Sequence, residues 1–214
     1  MSIQSLINIA ETLEIDRRKS VSQQVSRSGI IKVTESVTRQ PWRMTANISA
    51  VTRYADAREL METIDYYDRV NYQDVQFTNF SWMWAYRGDL TTNQLSTLTV
   101  VSFTGTSLTL DITGIAGSAN AYVFKRNDIF TFGTSPYPFT VVNDVQRGSS
   151  STITVTTHRP NFTTVSLVGA TLTVGPSVKF RMIARSMPTY RLIPGPYVEI
   201  TGPLELVEFT GDVG

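Results

Sequence analysis

The sequence predicts a mainly β protein, and three observations predict it. From Ile30 onward, apolar residues recur at every second position over most of the chain. Short runs of Val, Ile, Thr, Phe and Tyr alternate with Gly, Pro, Asn, Asp and Ser clusters at roughly 8–12-residue spacing, as in sandwiches and barrels. Only two stretches carry a helical period instead.

The first of these is residues 3–15. Ile3, Leu6, Ile7, Ala10 and Leu13 share one side of a 3.6-residue period, which predicts a short amphipathic helix. The basic run Arg17-Arg18-Lys19 then falls beyond its C-terminus, where positive charge suits the helix dipole. A polar stretch follows to Ser28, and Ile30-Ile31-Lys32-Val33 is a short strand candidate. Trp42, Met44, Ala46, Ile48 and Ala50 alternate with polar residues, which predicts a half-buried strand opening at Pro41. The second helix is expected over 56–69. Asp56 and Glu59 have capping-box spacing, Ala57, Leu60, Met61, Ile64 and Tyr67 form its stripe, and Arg58–Glu62 and Asp65–Arg69 are i,i+4 pairs. Phe80, Trp82, Trp84 and Tyr86 predict one more strand.

From about Leu95 the texture changes. Ser and Thr become dense, and charge nearly vanishes between 90 and 110. Leu98–Phe103 and Leu108–Ile112 predict a hairpin. Further strands are expected at 121–124, 129–132, 139–142, 152–157 and 171–174. Charge density recovers in the closing region, with strand candidates at Val178, Phe180 and Met182 and at 197–200. The expected organisation is therefore one domain built from 1–94 and 177–214, with a small β-barrel or sandwich domain inserted at 95–176.

Composition limits the chemistry. The 214 residues carry 19 Lys+Arg against 18 Asp+Glu, a net charge of +1, which argues against a broad footprint for nucleic acid or anionic lipid. There is no cysteine and one histidine, His158, so thiol catalysis, thiolate metal sites and multi-histidine metal sites within one chain are excluded. No cofactor or metal is expected. No run of 18 apolar residues predicts a membrane span, and the N-terminus lacks a secretory pattern. His158 lies at a strand end and reads as a turn residue bonded to backbone. Asp128 and Asp144 each follow an asparagine in a turn, and with Asp111 they are the carboxylates a hydrolase would draw on. Glu59, Glu62, Asp65 and Asp68 read as a solvated or partner-facing helix surface. No calcium loop, P-loop or GxGxxG occurs. Arg87-Gly88-Asp89 spells an adhesion tripeptide that three-residue chance explains. No catalytic residue is expected, and the chain is not read as an enzyme. Interface candidates are Ile3, Leu6 and Ile7 on the first helix, with Tyr66, Tyr67 and Tyr72 near the end of the second. Trp42, Trp82 and Trp84 fit core packing, or else a platform for sugar rings.

Several segments carry a resemblance. Gln40-Pro41-Trp42-Arg43-Met44, Tyr54-Ala55-Asp56-Ala57-Arg58-Glu59-Leu60 with Ile64-Asp65, and Trp82-Met83-Trp84-Ala85-Tyr86-Arg87-Gly88-Asp89 resemble baseplate and tail-tube-related proteins of long-tailed bacteriophages. Asn127-Asp128-Ile129, Tyr137-Pro138-Phe139-Thr140-Val141, Asp144-Val145, Arg147-Gly148-Ser149 and His158-Arg159-Pro160 are similar to segments of phage tail structural proteins. The resemblance implies a tail-tube-like β-sandwich or split barrel with one flanking helix. It implies a ring of six copies as a tube initiator or distal-tail-type adaptor, with the tail tube and other baseplate proteins as partners. Phage DNA would pass only transiently through the lumen. The location implied is the virion tail, after assembly in the host cytoplasm, without membrane insertion. The alternative is a β-sandwich adhesin or carbohydrate-binding module on a phage particle. A hydrolase of cell-wall glycans would rest only on Asp111, Asp128 and Asp144.

Overall fold

The computed structural model describes residues 2–18, 20–25, 27, 31–36, 40–66, 71–133, 135–163 and 165–211, with the backbone alone for 20–25 and 31–36. In chain order the first part runs α1 (Ile3–Asn8), β1 (Thr12–Asp16), β2 (Ser20–Val25), β3 (Ile31–Ser36), β4 (Arg43–Arg53), α2 (Tyr54–Tyr66) and β5 (Gln73–Val75). A 3₁₀ segment, Thr78–Met83, leads to α3 (Thr92–Thr97). Then come β6 (Thr99–Thr104), β7 (Ser107–Asp111), β8 (Tyr122–Phe124), β9 (Ile129–Phe132), β10 (Ser135–Thr140), β11 (Val145–Gln146), β12 (Thr152–Thr156) and β13 (Leu172–Val174). The chain closes with β14 (Phe180–Ser186), β15 (Thr189–Ile193) and β16 (Tyr197–Glu208).

The fold is mainly β and antiparallel. One six-stranded sheet has the order β1-β4-β16-β14-β5, with β15 also paired to β16. Its spine is the long β4–β16 ladder, from Arg53↔Tyr197 to Arg43↔Val207. Met44, Ala46 and Ile48 of β4 point inward with Val198, Ile200, Leu204 and Leu206 of β16, while Arg43, Thr45, Asn47 and Ser49 face out. At the middle of β16, Gly202 takes φ 111°, and Pro203 has no N–H to donate. There the outer partner changes: β15 pairs with 197–201 and β14 with 205–208. Helix α2 packs against β4, β16 and α1, burying Ala57 and Thr63.

Residues 99–174 form separate small sheets, β12-β7-β6, β10-β9-β13 and β11-β8, and no barrel closes among the described residues. Two apolar clusters result. One joins α1, β4, β14 and β16 around Trp42, Phe77 and Phe180 and also takes in Ile129. The other runs from Leu90 to Leu172 around Phe124, Phe130, Phe132 and Phe139. Burying one such side chain is worth about 1.5–3 kcal/mol.

Local structure departs from expectation in several places, and the short helix α3 was not expected at all. The helix expected over 3–15 stops at Asn8, and Thr12–Asp16 is strand β1 against Asn47–Arg43. Leu13 satisfies both periods, but the backbone at 11 already bonds to the sheet through Glu11 N–H to the Asn47 carbonyl at 3.0 Å. Helix α2 starts at Tyr54, two residues before Asp56, so Asp56 lies within the first turn and is not the cap. The expected second helix ended at 69, but the described helix ends at Tyr66; Tyr67, Asp68 and Arg69 lie outside the described residues. The aromatic run 80–86 forms no strand; a kinked 3₁₀ segment ends at Met83, with Trp84 as its cap. Finally, the polar stretch at 20–25 is strand β2, paired along its length with β3 from Ser20↔Ser36 to Val25↔Ile31.

Candidate functional site

The two apolar clusters meet where the end of β12 crosses β10 and the end of β16. After Thr156 the chain turns through Thr157-His158-Arg159-Pro160. The His158 N–H donates to the Thr140 carbonyl, and the Thr140 N–H donates to His158 Nδ1, both at 3.0 Å. This places Arg159 inward, where its side chain is fully buried. Its two terminal nitrogens grip the Glu208 carboxylate, one at 2.7 Å, and also donate to the Gln40 and Pro138 carbonyls at 2.8 Å. The guanidinium sits 5.1 Å from the Phe139 ring centre and 4.8 Å from that of Phe162. Glu208 also accepts the Trp42 N–H at 3.1 Å, and the Trp42 indole donates to the Pro138 carbonyl at 3.2 Å. Each buried polar group at this joint thus has a charged or carbonyl partner, as burial requires. The exceptions are Arg159 Nε and His158 Nε2, which have none.

Beside the joint lies an open recess of about 590 Å³. Arg17, just past β1, reaches across it. Its guanidinium donates to Thr140 Oγ1 at 2.9 Å and to Asn127 Oδ1 at 2.7 Å, and lies 5.7 Å from the Trp42 ring centre. Asn127 takes φ 70°, a left-handed turn that asparagine tolerates, and this aims its side chain at Arg17. Arg126 donates from Nε to the Val142 carbonyl at 3.0 Å, while its own N–H binds Asp144 at 2.7 Å. Arg18 pairs with Asp16, and that hydrogen-bonded guanidinium holds the Asp16 carboxyl down at about 2. Burial pushes the Arg17 guanidinium below its ordinary range.

The histidine cannot act as a base in this setting. Burial first, then the charges of Arg159 and Arg17, depress His158 to about 2. Because the Thr140 N–H uses the Nδ1 lone pair, the neutral ring carries its proton on Nε2, which is buried without a partner. The three aspartates serve turns. Asp128 accepts the Lys125 and Arg87 N–H groups at 2.8 and 3.0 Å, and burial raises it; the Thr113 side chain and then the Thr113 N–H, the latter at 2.7 Å, lower Asp111. Among the described residues no three His, Cys, Asp or Glu side chains converge as a metal site, and no helix is long and apolar enough to cross a membrane.

The interface candidates divide. Ile3, Leu6 and Ile7 are wholly buried in the chain's own first cluster, so that face of α1 is not available to a partner. Ser2 caps α1, and Gln4 and Gln76 bond reciprocally, which fixes the helix against the core. Tyr66 is 73% exposed. Tyr72 is exposed on one side, stacks on Phe209 and lies under Arg181. Tyr67 is outside the described residues. Trp42 and Trp84 meet edge to face in the core at 6.2 Å, while Trp82 is 68% exposed.

Sequence reasoning missed the joint itself. Arg159 and Glu208 lie 49 positions apart, and no local pattern links them. The basic run at Arg17 was the one available signal, but the expected helix end disguised it. No protein-family profile matches the sequence, and no curated protein matches it.

Proposed function

We propose that this chain is an architectural protein of a long-tailed bacteriophage tail. Copies of it would form a six-membered ring where tube meets baseplate, templating the tube and leaving a channel for DNA. The observation that carries this reading is the β2–β3 ribbon. It lies between β1 and β4 in the chain, and its strands pair with each other and with no other strand among the described residues. A lone two-stranded ribbon is marginal in water, and it presents two rows of unpaired backbone groups. A neighbouring copy offering its own sheet edge would satisfy both needs, and head-to-tail contacts of this kind close into rings.

The test is light scattering behind size exclusion over a wide concentration range, with electron microscopy of the largest species. Rings or tube-joined particles are expected. Replacing residues 20–36 with a short Gly-Ser linker should leave a folded monomer. A wild-type chain that stays monomeric at every concentration would refute the assembly reading. A second reading, a carbohydrate-binding module on a phage particle, draws on exposed Trp82 beside a recess that also holds Arg17, Arg87 and Trp84.

A further inference from the structure

The recess beside the joint brings together Arg17 and Arg126, neither of which has a carboxylate partner among the described residues. Its lining includes Arg17, Arg18, Arg126, Asn127, Thr140 and His158, and no carboxylate is among the lining residues. The nearest acids are already engaged, Asp16 by Arg18 and Asp144 by the Arg126 backbone N–H. Arg17 is held by two neutral acceptors, Thr140 Oγ1 and Asn127 Oδ1, and makes no ion pair with a described residue. Trp42 backs it from beneath. Arg126 is anchored through Nε alone, so its two terminal nitrogens make no hydrogen bond to the described residues. Asn127, next in sequence, is the residue that holds Arg17, so the two guanidinium groups are brought to one rim by one turn. Holding the half-buried Arg17 guanidinium on the same rim as a second, exposed guanidinium is unfavourable unless an anion joins them.

We propose that this recess binds a phosphate group, with Arg17 and Arg126 as its two guanidinium ligands. Guanidinium forks match the oxygen geometry of phosphate, and two positive charges without carboxylate partners suit an anion that can accept from both. The group would be free inorganic phosphate or a phosphodiester of a nucleic-acid strand. The inference stands whether or not the chain forms rings.

The test is titration calorimetry of the full chain at constant ionic strength, with inorganic phosphate in one arm and a ten-nucleotide oligothymidine in the other. Saturable binding of at least one probe is expected. Arg126→Gln should weaken it about tenfold, the loss of one charge-assisted contact. Arg17→Gln should do the same, and because Arg17 also ties Thr140 to Asn127, Arg126→Gln is the deciding variant should that chain not fold. Arg58→Gln, on helix α2 and outside the recess, should leave binding unchanged. Binding of phosphate alone assigns a small-anion site. Tighter binding of the oligonucleotide, weakening steeply with salt, assigns a nucleic-acid backbone. No saturable binding of either probe at millimolar concentration, or equal binding by the wild type and Arg126→Gln, would overturn the proposal.

Discussion

Removing the charge of Glu208 probes the joint most directly. In Glu208→Gln the Trp42 N–H keeps an acceptor, and the side chain keeps its volume. What changes is Arg159, which is fully buried and loses both charge-assisted bonds to the carboxylate. The glutamine amide oxygen and the Gln40 and Pro138 carbonyls remain as acceptors at the joint, and none of them carries charge. Stranding a buried cation in this way costs about 3–5 kcal/mol, against a usual total stability of about 5–15 kcal/mol. Arg159→Met strands the carboxylate instead and should cost a similar amount. The double variant, Arg159→Met with Glu208→Leu, strands neither charge. It leaves the Trp42 N–H and the Gln40 carbonyl to find water, at about 1–3 kcal/mol each where they fail, while the Pro138 carbonyl keeps the Trp42 indole. The two single costs should therefore exceed the cost of the double variant, a coupling on the order of 2 kcal/mol or more. Urea unfolding followed by tryptophan emission reads this, because Trp42 touches the pair. The single variants should also broaden or split the transition, since the pair links the two apolar clusters. Strict additivity, or a loss below about 1 kcal/mol in Glu208→Gln, would refute the claim that this pair carries the joint.

Two further predictions follow from the same region. His158 is depressed from 6.5 to about 2 in the folded chain, so on acidification the unfolded chain takes up the proton first. Stability contributed by the neutral ring is complete above 6.5 and falls steadily as pH drops from 6.5 toward 2. At about pH 4.5 the loss is roughly 3 kcal/mol. Denaturation at neutral and acid pH should show this loss in the wild type and not in His158→Gln; equal acid sensitivity in both would count against burial as the cause. Trp82 alone of the three indoles is open to solvent, so Trp82→Phe should remove most of the acrylamide-quenchable emission. Quenching that persists unchanged would mean that Trp42 or Trp84 is accessible, against their place in the core.

The legible parts of the sequence were those in which one local period dominates. Leu108 and Leu110 against Ile153 and Val155 alternate cleanly, and Ser107–Asp111 pairs with Thr152–Thr156 residue for residue. Ala57, Leu60, Met61 and Ile64 mark α2 equally well. Where two periods compete, tertiary contacts decide. Leu13 suits the end of a helix, yet its partner across the ladder is Ala46, so the sheet takes it. The aromatic alternation at 80–86 suits a strand, but Asn79 donates to the Asn8 carbonyl at 2.5 Å and the backbone at Phe80 kinks, leaving Trp82 out and Trp84 in. The recess was the least legible feature. Arg17 meets Thr140 and Asn127 across 123 and 110 positions, and no spacing rule reaches that far.

The placement of the recess ties these features together. The ribbon leaves the sheet after Asp16 and re-enters it at Arg43, paired residues at the end of the β1–β4 ladder. Arg17 and Arg18 on one side and Gln40 on the other are therefore the foot of the ribbon, and all three line the recess. The Gln40 carbonyl is bonded to Arg159, and the adjoining Trp42 N–H to Glu208. A load on the ribbon reaches the buried pair through two backbone groups within three residues of sequence, and an anion bridging Arg17 and Arg126 would clamp the ribbon's foot to the turn at Asn127. A ribbon anchored this way is braced at its root, and among the described residues its two strands pair only with each other, which leaves each strand a second edge for a neighbour to join.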